Sequence, residues 1–355
     1  MASFRNKRIA LVLGGGGLKG FAHIGVLRAL AELEIEPVIV AGTSIGALVG
    51  GAYAAGRSID DMVDRAVSFR RRDLFRINHM GMVLERMRSP AIYLEQPLRT
   101  VIDSILPNVT FDELPRRLLV NTVDIARGTQ VVWGLHGLRD VRVQDAVYAS
   151  CALPGFFPPG DVDGRVCVDG GVLDNLPVTI AGLGMDAIIA VDVGSMQLLP
   201  ADNIRLQGFA NIYVRAANTM MHELQIRPLT AWSGAPLFLV LPRVAHVDWF
   251  DASQTPALID AGYEAAMDAL RDFATCASAA TGVFPRRRYH LAVDQASCIG
   301  CGLCVAMAPS IMDMNRHAFP RVPIVEWSPA DGDFVRECPT NAISVSAVTP
   351  ANPVP

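Results

Sequence analysis

Two groups of residues in this 355-residue chain could do chemistry. The first centres on Ser44, in Gly42-Thr43-Ser44-Ile45-Gly46, a G-x-S-x-G between the apolar run VIVA and the small-residue stretch ALVGGAYAAG. In that setting a strand turns sharply into a helix. The serine is held strained and exposed, and Gly42 and Gly46 avoid clashes. Upstream, GGGGLKG at 14–20 follows another apolar run, and its Gly15, Gly17 and Gly20 fit G-x-G-x-x-G. A dinucleotide site would want an acid at the end of the next strand, and that strand ends in AGTS. What the loop supplies is a row of unhindered N–H groups at a helix N-terminus, which stabilise a developing anion. Downstream, Asp169-Gly170-Gly171 in VCVDGGVLDNLPV places a carboxylate on a tight turn at a sheet end. A serine in this setting is a candidate nucleophile, the amide donors suit a phosphate or an oxyanion alike, and a carboxylate on such a turn is often only a turn former.

The base for that serine is open from the residues alone. His79, His136, His222, His246, His290 and His317 follow Ser44, and none sits in an evident catalytic turn. His23 precedes it and reads as a packed helix residue. A Ser–His–Asp triad through one of these histidines stays open, and Asp169 read alone could be no more than a turn former. A carboxylate is a weak base for a hydroxyl, and acting as one would take hydrogen-bond reach and partial desolvation.

The second group is Cys298, Cys301 and Cys304, a C-x₂-C-x₂-C, with Cys338-Pro339 further on. Zinc sites show separated C-x₂₋₄-C pairs. A triplet with a distant Cys-Pro is the spacing of bacterial iron–sulfur runs, and residues 289–348 resemble a ferredoxin domain. The resemblance implies one [4Fe–4S] cluster on Cys298, Cys301, Cys304 and Cys338. The position that would serve a second cluster is Ala308, before Pro309, and no second C-x₂-C-x₂-C follows. Zinc, or a metal-free remnant of the fold, is the alternative. Cys151, Cys167 and Cys276 read as buried thiols.

Elements must position these groups, and their pattern is legible. The runs at 8–13, 37–42, 117–125, 186–194 and 236–242 read as strands; a helix is expected over about 19–33 and another over 255–273, opened by Thr-Pro. Strands alternating with helices argue for a mostly parallel sheet. Composition agrees: 51% hydrophobic and 19% charged residues exclude a disordered chain, and a net charge of −4 gives no reason to expect nucleic acid. Seven cysteines are too few for a disulfide scaffold. The uncharged stretch 37–56 has the length of a membrane span, but its proline and five glycines suit a buried strand–turn–helix better. The chain's start makes a poor signal peptide. Residues 68–88 carry six arginines among apolar side chains, which suits either an anionic lipid surface or a solvated helix.

Taken in order, GGGGLKG, FAHIGVLRAL, GTSIGAL, SCALPGFFPP and DGGVLDNLPV resemble the patatin-like phospholipases, nearest to bacterial members similar to the catalytic domain of neuropathy target esterase. The resemblance implies an α/β fold, a mostly parallel sheet flanked by helices, followed by a small α+β ferredoxin-like domain. It implies Ser44 as nucleophile, Asp169 as base, and oxyanion-hole amides at Gly15, Gly16 and Gly17, with Gly20, Gly170 and Gly171 as further motif positions and Lys19 as the loop's basic residue. The expected organisation is a hydrolase domain over 1–275 with its motifs in 9–182, a linker at 276–288, the cluster domain at 289–348 and a tail at 349–355. The expected function is lipid acyl-ester hydrolysis in the cytoplasm. A phospholipid or other acyl ester would be the substrate, with peripheral membrane contact and a redox partner as further expectations. The other class is a redox-sensing or electron-transfer protein whose patatin-like part binds lipid without turnover.

Overall fold

The computed structural model describes residues 7–74, 76, 91–194, 208–278 and 281–348. The apolar run at the start forms β1 (Ile9–Leu13), buried throughout, and leads through a 3-10 turn (Gly17–Phe21) into α1 (Ala22–Glu32). The helix expected from residue 19 is therefore split, because the glycine loop enters it as a tighter turn. Next come β2 (Ile39–Thr43), α2 (Ile45–Ala54), α3 (Ile59–Ser68) and α4 (Glu95–Ile105). The stretch 37–56 is the buried strand–turn–helix expected of it. Of the arginine-rich stretch, residues 75 and 77–88 lie outside the described residues, as does the tail.

The chain continues through β3 (Arg117–Asp124), β4 (Thr129–Trp133), α5 (Val143–Cys151), β5 (Gly160–Val162), β6 (Arg165–Asp169), α6 (Val178–Ala181) and β7 (Ala187–Val191). After α7 (Gly208–Thr230) come β8 (Leu237–Val240), α8 (Thr255–Ala269), α9 (Phe273–Cys276) and β9 (Val283–Phe284). Among the described residues these strands make one sheet in the order β5-β6-β3-β2-β1-β7-β8-β9, with β4 also on β3. The centre is parallel from β3 to β9; at one side β4 and β6 each pair antiparallel with β3, and β5 pairs antiparallel with β6. The chain leaves β1 toward β2 and β3 and later returns to β7 on its other flank. The crevice beyond the carboxyl ends of β1 and β7, beside the end of β2, is thus the topological switch point where such sheets bind ligands.

Packing fixes this frame. Ile9, Leu11 and Leu13 of β1 are at most 1% exposed and face one core with α1, α2, α5 and α8. Ala10, Val12, Ile188 and Leu237 face a second core on the other side of the sheet. Burying a side chain of this size stabilises by about 1.5–3 kcal/mol.

The C-terminal segment has its own small core. β10 (Arg287–Val293) pairs with β13 (Ile324–Trp327) and β14 (Ile343–Ala347), and β11 (Met312–Met314) with β12 (Ala318–Pro320). Two short helices complete it, α10 (Leu303–Met307) and α11 (Asp333–Arg336). The stretch expected as a linker, 276–288, is not a bare tether. β9 within it adds to the main sheet beside β8, and β10 begins at Arg287. Two apolar residues, Val283 and Phe284, bury themselves at that sheet edge. No helix among the described residues is long and apolar enough to cross a membrane.

Candidate functional site

Ser44 sits at the carboxyl end of β2, in the one residue between strand and helix. Its φ of 56° and ψ of −127° place it in the left-handed half of the map, a strained pose for a non-glycine residue. The turn closes because its neighbours lack side chains: a Cβ on Gly46 would lie 2.1 Å from the Leu13 carbonyl oxygen, and one on Gly42 2.5 Å from the Ala47 nitrogen. The Ser44 amide donates to Ser150 Oγ at 2.8 Å, and Ser150 Oγ donates to the Asn121 carbonyl at 2.7 Å. The pose is thus held from α5 and β3, by residues more than 70 positions away in the chain.

Asp169 reaches the same place by strand length. β3 pairs with β2 as far as Asn121 opposite Thr43, then runs on to Asp124. β6 pairs antiparallel with that extension and ends at Asp169 opposite Thr122, level with the end of β2. The Asp169 carboxylate accepts the Gly171 N–H at 2.8 Å. Burial pushes its pKa up to about 6; hydrogen bonds from Gly171 and from the Ser44 hydroxyl pull the other way and are outweighed. Gly170 and Gly171 form the tight 3-10 turn after it.

The glycine loop leaves β1 on the other side of Ser44. Gly14 donates to the Val191 carbonyl at 2.9 Å, and Leu18 to that of Trp249 at 2.8 Å. Asn175 grips Gly15 at both backbone groups: its Oδ1 accepts the Gly15 N–H at 3.1 Å and its Nδ2 donates to the Gly15 carbonyl at 3.2 Å. The Gly15 amide is thus engaged by Asn175, whereas no described residue engages the amides of Gly16 and Gly17. Gly20 lies in the 3-10 turn against Ile45. Lys19 does not line the site. It is buried, its pKa lowered by that burial against the pull of Asp192 and Asp248.

Ser44, Asp169 and Gly15 to Gly17 line one cavity of about 390 Å³, within the range of small-molecule sites. Most of its wall is apolar, including Leu48, Leu98, Phe157, Met221 and Trp249. Ile125, Val172, Met220 and Leu224 line it and are also exposed, so an apolar rim opens to solvent. No histidine among the described residues lines it, and His79 lies outside them. His23 is fully buried; its Nε2 bonds the Gly14 carbonyl at 2.8 Å, and burial lowers its pKa to about 4. Cys151 also lines the cavity and is half-buried. Burial, and then Asp169, keep its thiol protonated. Cys276 is half-buried too, and Cys167 is buried as expected.

Asn121, Ser150 and Asn175 carry this geometry and had no role in the sequence reading. Ser150 and Asn175 stand inside SCALPGFFPP and DGGVLDNLPV, so the signal was there without a partner to give it meaning. Asn121 lies in an apolar run that read only as a strand. It is fully buried, and its Nδ2 donates to the Asp174 carbonyl at 2.6 Å.

The four cysteines also converge. Cys298 and Cys301 lie on the loop before α10, Cys304 in its first turn, and Cys338 just after α11. All four line one otherwise apolar pocket with Ile299, Leu303, Pro339 and Ile343. Left-handed Gly300 (φ 68°) and Gly302 (φ 76°) coil the loop between them. The pKa of Cys304 is raised by burial first and then by the nearby Cys301, Cys338 and Cys298. Cys338 is also pushed up by burial, but backbone N–H donors at Thr340 and Ala342 outweigh this and lower it. Four thiolates this close repel one another unless a cationic core lies between them. The donor set thus fits an all-cysteine iron–sulfur cluster.

Comparison with known proteins agrees region by region. Residues 11–181 match the model for "Patatin-like phospholipase", and residues 293–345 that for "4Fe-4S single cluster domain of Ferredoxin I". An NTE family protein of Mycobacterium tuberculosis is 32% identical over 297 residues, 77% of this chain and 79% of that protein. Lysophospholipase nte1 of Emericella nidulans is 33% identical over 216 residues, 54% of this chain but 12% of that much longer protein. Among solved structures, VipD from Legionella pneumophila is similar at a TM-score of 0.40 and 16% identity, over 75% of this chain and 67% of that one. Together with the ordered motifs and the family model matched over 11–181, the 32% identity to the mycobacterial NTE family protein across most of both chains means that the chain belongs to the NTE family of patatin-like phospholipases, a family of lipid hydrolases.

Proposed function

We infer that the chain is a serine hydrolase of lipid acyl esters, with Ser44 as nucleophile and Asp169 as its base. One observation carries this reading: a carboxylate raised to about 6 by burial hydrogen-bonds the hydroxyl of a serine in a strained pose, in an apolar cavity that no described histidine lines. At neutral pH Asp169 is ionised yet far more basic than an exposed aspartate, which suits proton abstraction. Ser44 Oγ attacks the ester carbonyl and its proton passes to Asp169. The carbonyl oxygen takes the negative charge and is met by the amides of Gly16 and Gly17. Collapse breaks the ester C–O bond, and Asp169 returns the proton to the leaving alcohol. Water then cleaves the acyl-enzyme by the same route. Each oxyanion donor in such a site is worth about 10²–10³ in kcat.

The apolar wall and rim suit an acyl chain entering from a lipid surface, and the name of the Emericella relative favours a lysophospholipid among the esters. Cys298, Cys301, Cys304 and Cys338 would hold one [4Fe–4S] cluster, which when bound can exchange single electrons. Hydrolysis consumes none, so its role here is to brace the C-terminal segment.

The test is labelling by an alkyl fluorophosphonate together with turnover of lysophosphatidylcholine. The expected result is one label per chain, on Ser44, with labelling and turnover both lost in Ser44→Ala. Turnover that survives this substitution would overturn the assignment.

A further inference from the structure

α7 is used on two sides. Tyr213, Ala217, Met220, Met221 and Leu224 recur at helical spacing and line the acyl cavity. Between and beyond them, His222, Glu223 and Thr230 hold the C-terminal segment. His222 Nε2 lies 2.8 Å from Asp333 Oδ1, Arg336 Nη2 donates to Glu223 Oε1 at 3.1 Å, and Thr230 Oγ1 donates to the Ala330 carbonyl at 3.1 Å. Arg336 Nε also donates to Asp333 Oδ1 at 3.0 Å, so one guanidinium ties both carboxylates together. Ligand atoms of His222, Glu223 and Asp333 lie within 4.8 Å of one another, a spacing that suits a cation; Arg336 already supplies that charge.

The other partner in these contacts, α11, is a helix of four residues, too short to hold a conformation by itself. Its Phe334 is 2% exposed, meets the Trp327 ring edge-on at 5.6 Å, and belongs to the core that includes Cys298, Cys304 and Cys338. The Cys338 amide donates to the Val335 carbonyl at 3.3 Å, so the fourth cysteine closes the turn that ends α11. Asp333 and Arg336 therefore face α7 while the same helix is rooted in the cysteine pocket.

We propose that Asp333 and Arg336 are positioning residues for the acyl cavity: they hold the Met220–Leu224 wall of α7, and a cluster bound through Cys338 holds them. The proposal rests on the hydrolase reading of the cavity. Ser44, Asp169 and the glycine loop hang on β2, β6 and β1 and receive none of these contacts. Loosening α11 thus weakens the grip on a long acyl chain and spares the chemistry of a short one.

The experiment uses full-length, cluster-loaded protein, the Asp333→Ala and Arg336→Ala variants, and parent protein stripped of iron by a chelator. Two readouts are taken: hydrogen exchange of amides 208–230, and KM and kcat for p-nitrophenyl butyrate and palmitate. The expected result is faster exchange in α7 and a palmitate KM raised about 5- to 150-fold, the usual range for coupling between sites. Butyrate kcat and fluorophosphonate labelling of Ser44 stay at parent values, and Asp333→Glu restores the palmitate KM. Should the α11 variants lose their cluster on purification, Glu223→Ala removes the Arg336 acceptor from the α7 side and leaves the cysteine segment intact. Unchanged α7 exchange in Glu223→Ala and in iron-free protein would overturn the proposal. Exchange needs no turnover, so it decides the coupling even if a parent enzyme inert toward both esters sinks the hydrolase reading.

Discussion

Around Ser44 the working groups hang on three strand ends brought together across 154 positions, from Gly15 to Asp169 (169 − 15). Around Cys298 three of four thiols hang on one loop of seven residues, and only Cys338 is distant. The first site is backed by a parallel sheet with a core on each face and by hydrogen bonds through Asn121, Ser150 and Asn175. The second is backed by a small core in which the cysteines are themselves members. The contrast shows two ways to preorganise a site. A large core can force a strained serine and a buried carboxylate into place without any ligand. A segment this small would lean on any group its cysteines held, because below about 70–80 residues one core rarely supplies more than 3–5 kcal/mol.

The sharpest way to break the comparison is at the base. Asp169→Asn should lower kcat about 10²–10⁴-fold, the range of general-base catalysis, while leaving the iron–sulfur absorbance untouched. Activity retained in this variant would return the base to a histidine. Next in size is Asn175→Ala. It leaves the buried Gly15 N–H and C=O unpaired, at about 1–3 kcal/mol for each group. We expect kcat/KM for a short ester to fall about 10- to 100-fold with KM little changed, read by steady-state kinetics beside the rate of fluorophosphonate labelling.

The pH dependence follows from Asp169. Its carboxylate must be ionised to act as base, so kcat/KM should be level above pH about 6 and fall tenfold per pH unit below it. Stability runs the other way. The folded pKa of about 6 exceeds the unfolded 3.8, so between these values the native state holds the proton that the unfolded state has lost. Stability therefore declines as pH rises through this window, by up to roughly 3 kcal/mol. Asp169→Asn should melt higher than the parent at pH 8 and alike at pH 4, a gain in stability at the cost of function that calorimetry would detect. The smallest effect sharpens the contrast from the other side. Cys304→Ser should lower the melting of residues 287–347 and speed their hydrogen exchange, while kcat on p-nitrophenyl butyrate stays within about twofold of the parent.

Much of this was legible from local chemistry. A left-handed serine between glycines, a carboxylate on a glycine turn and thiols at C-x₂-C-x₂-C spacing are each specified by residues within a few positions. The strands at 9–13, 39–43, 117–124, 187–191 and 237–240 follow from apolar runs too short and too β-branched for helices. What the reading left out is long-range. Gly15 was expected in the oxyanion hole because nothing local says that an asparagine 160 residues later takes its amide. Residues 276–288 read as a tether because Gly, Pro and a run of arginines look alike in a linker and at a sheet edge. Only β8 beside Val283 and Phe284 decides between them.

The residue order by itself thus determined the turn types, the cluster spacing and the alternation of strands and helices, since these depend on backbone sterics and ligand reach within a few residues. Tertiary structure alone decided which glycine-loop amides remain free, how far the Asp169 pKa rises, and that a helix of the cysteine segment grips the helix lining the Ser44 cavity. Those properties depend on burial and on contacts between segments more than 100 residues apart, and no local pattern encodes the dielectric around a carboxylate or the partner of a buried amide.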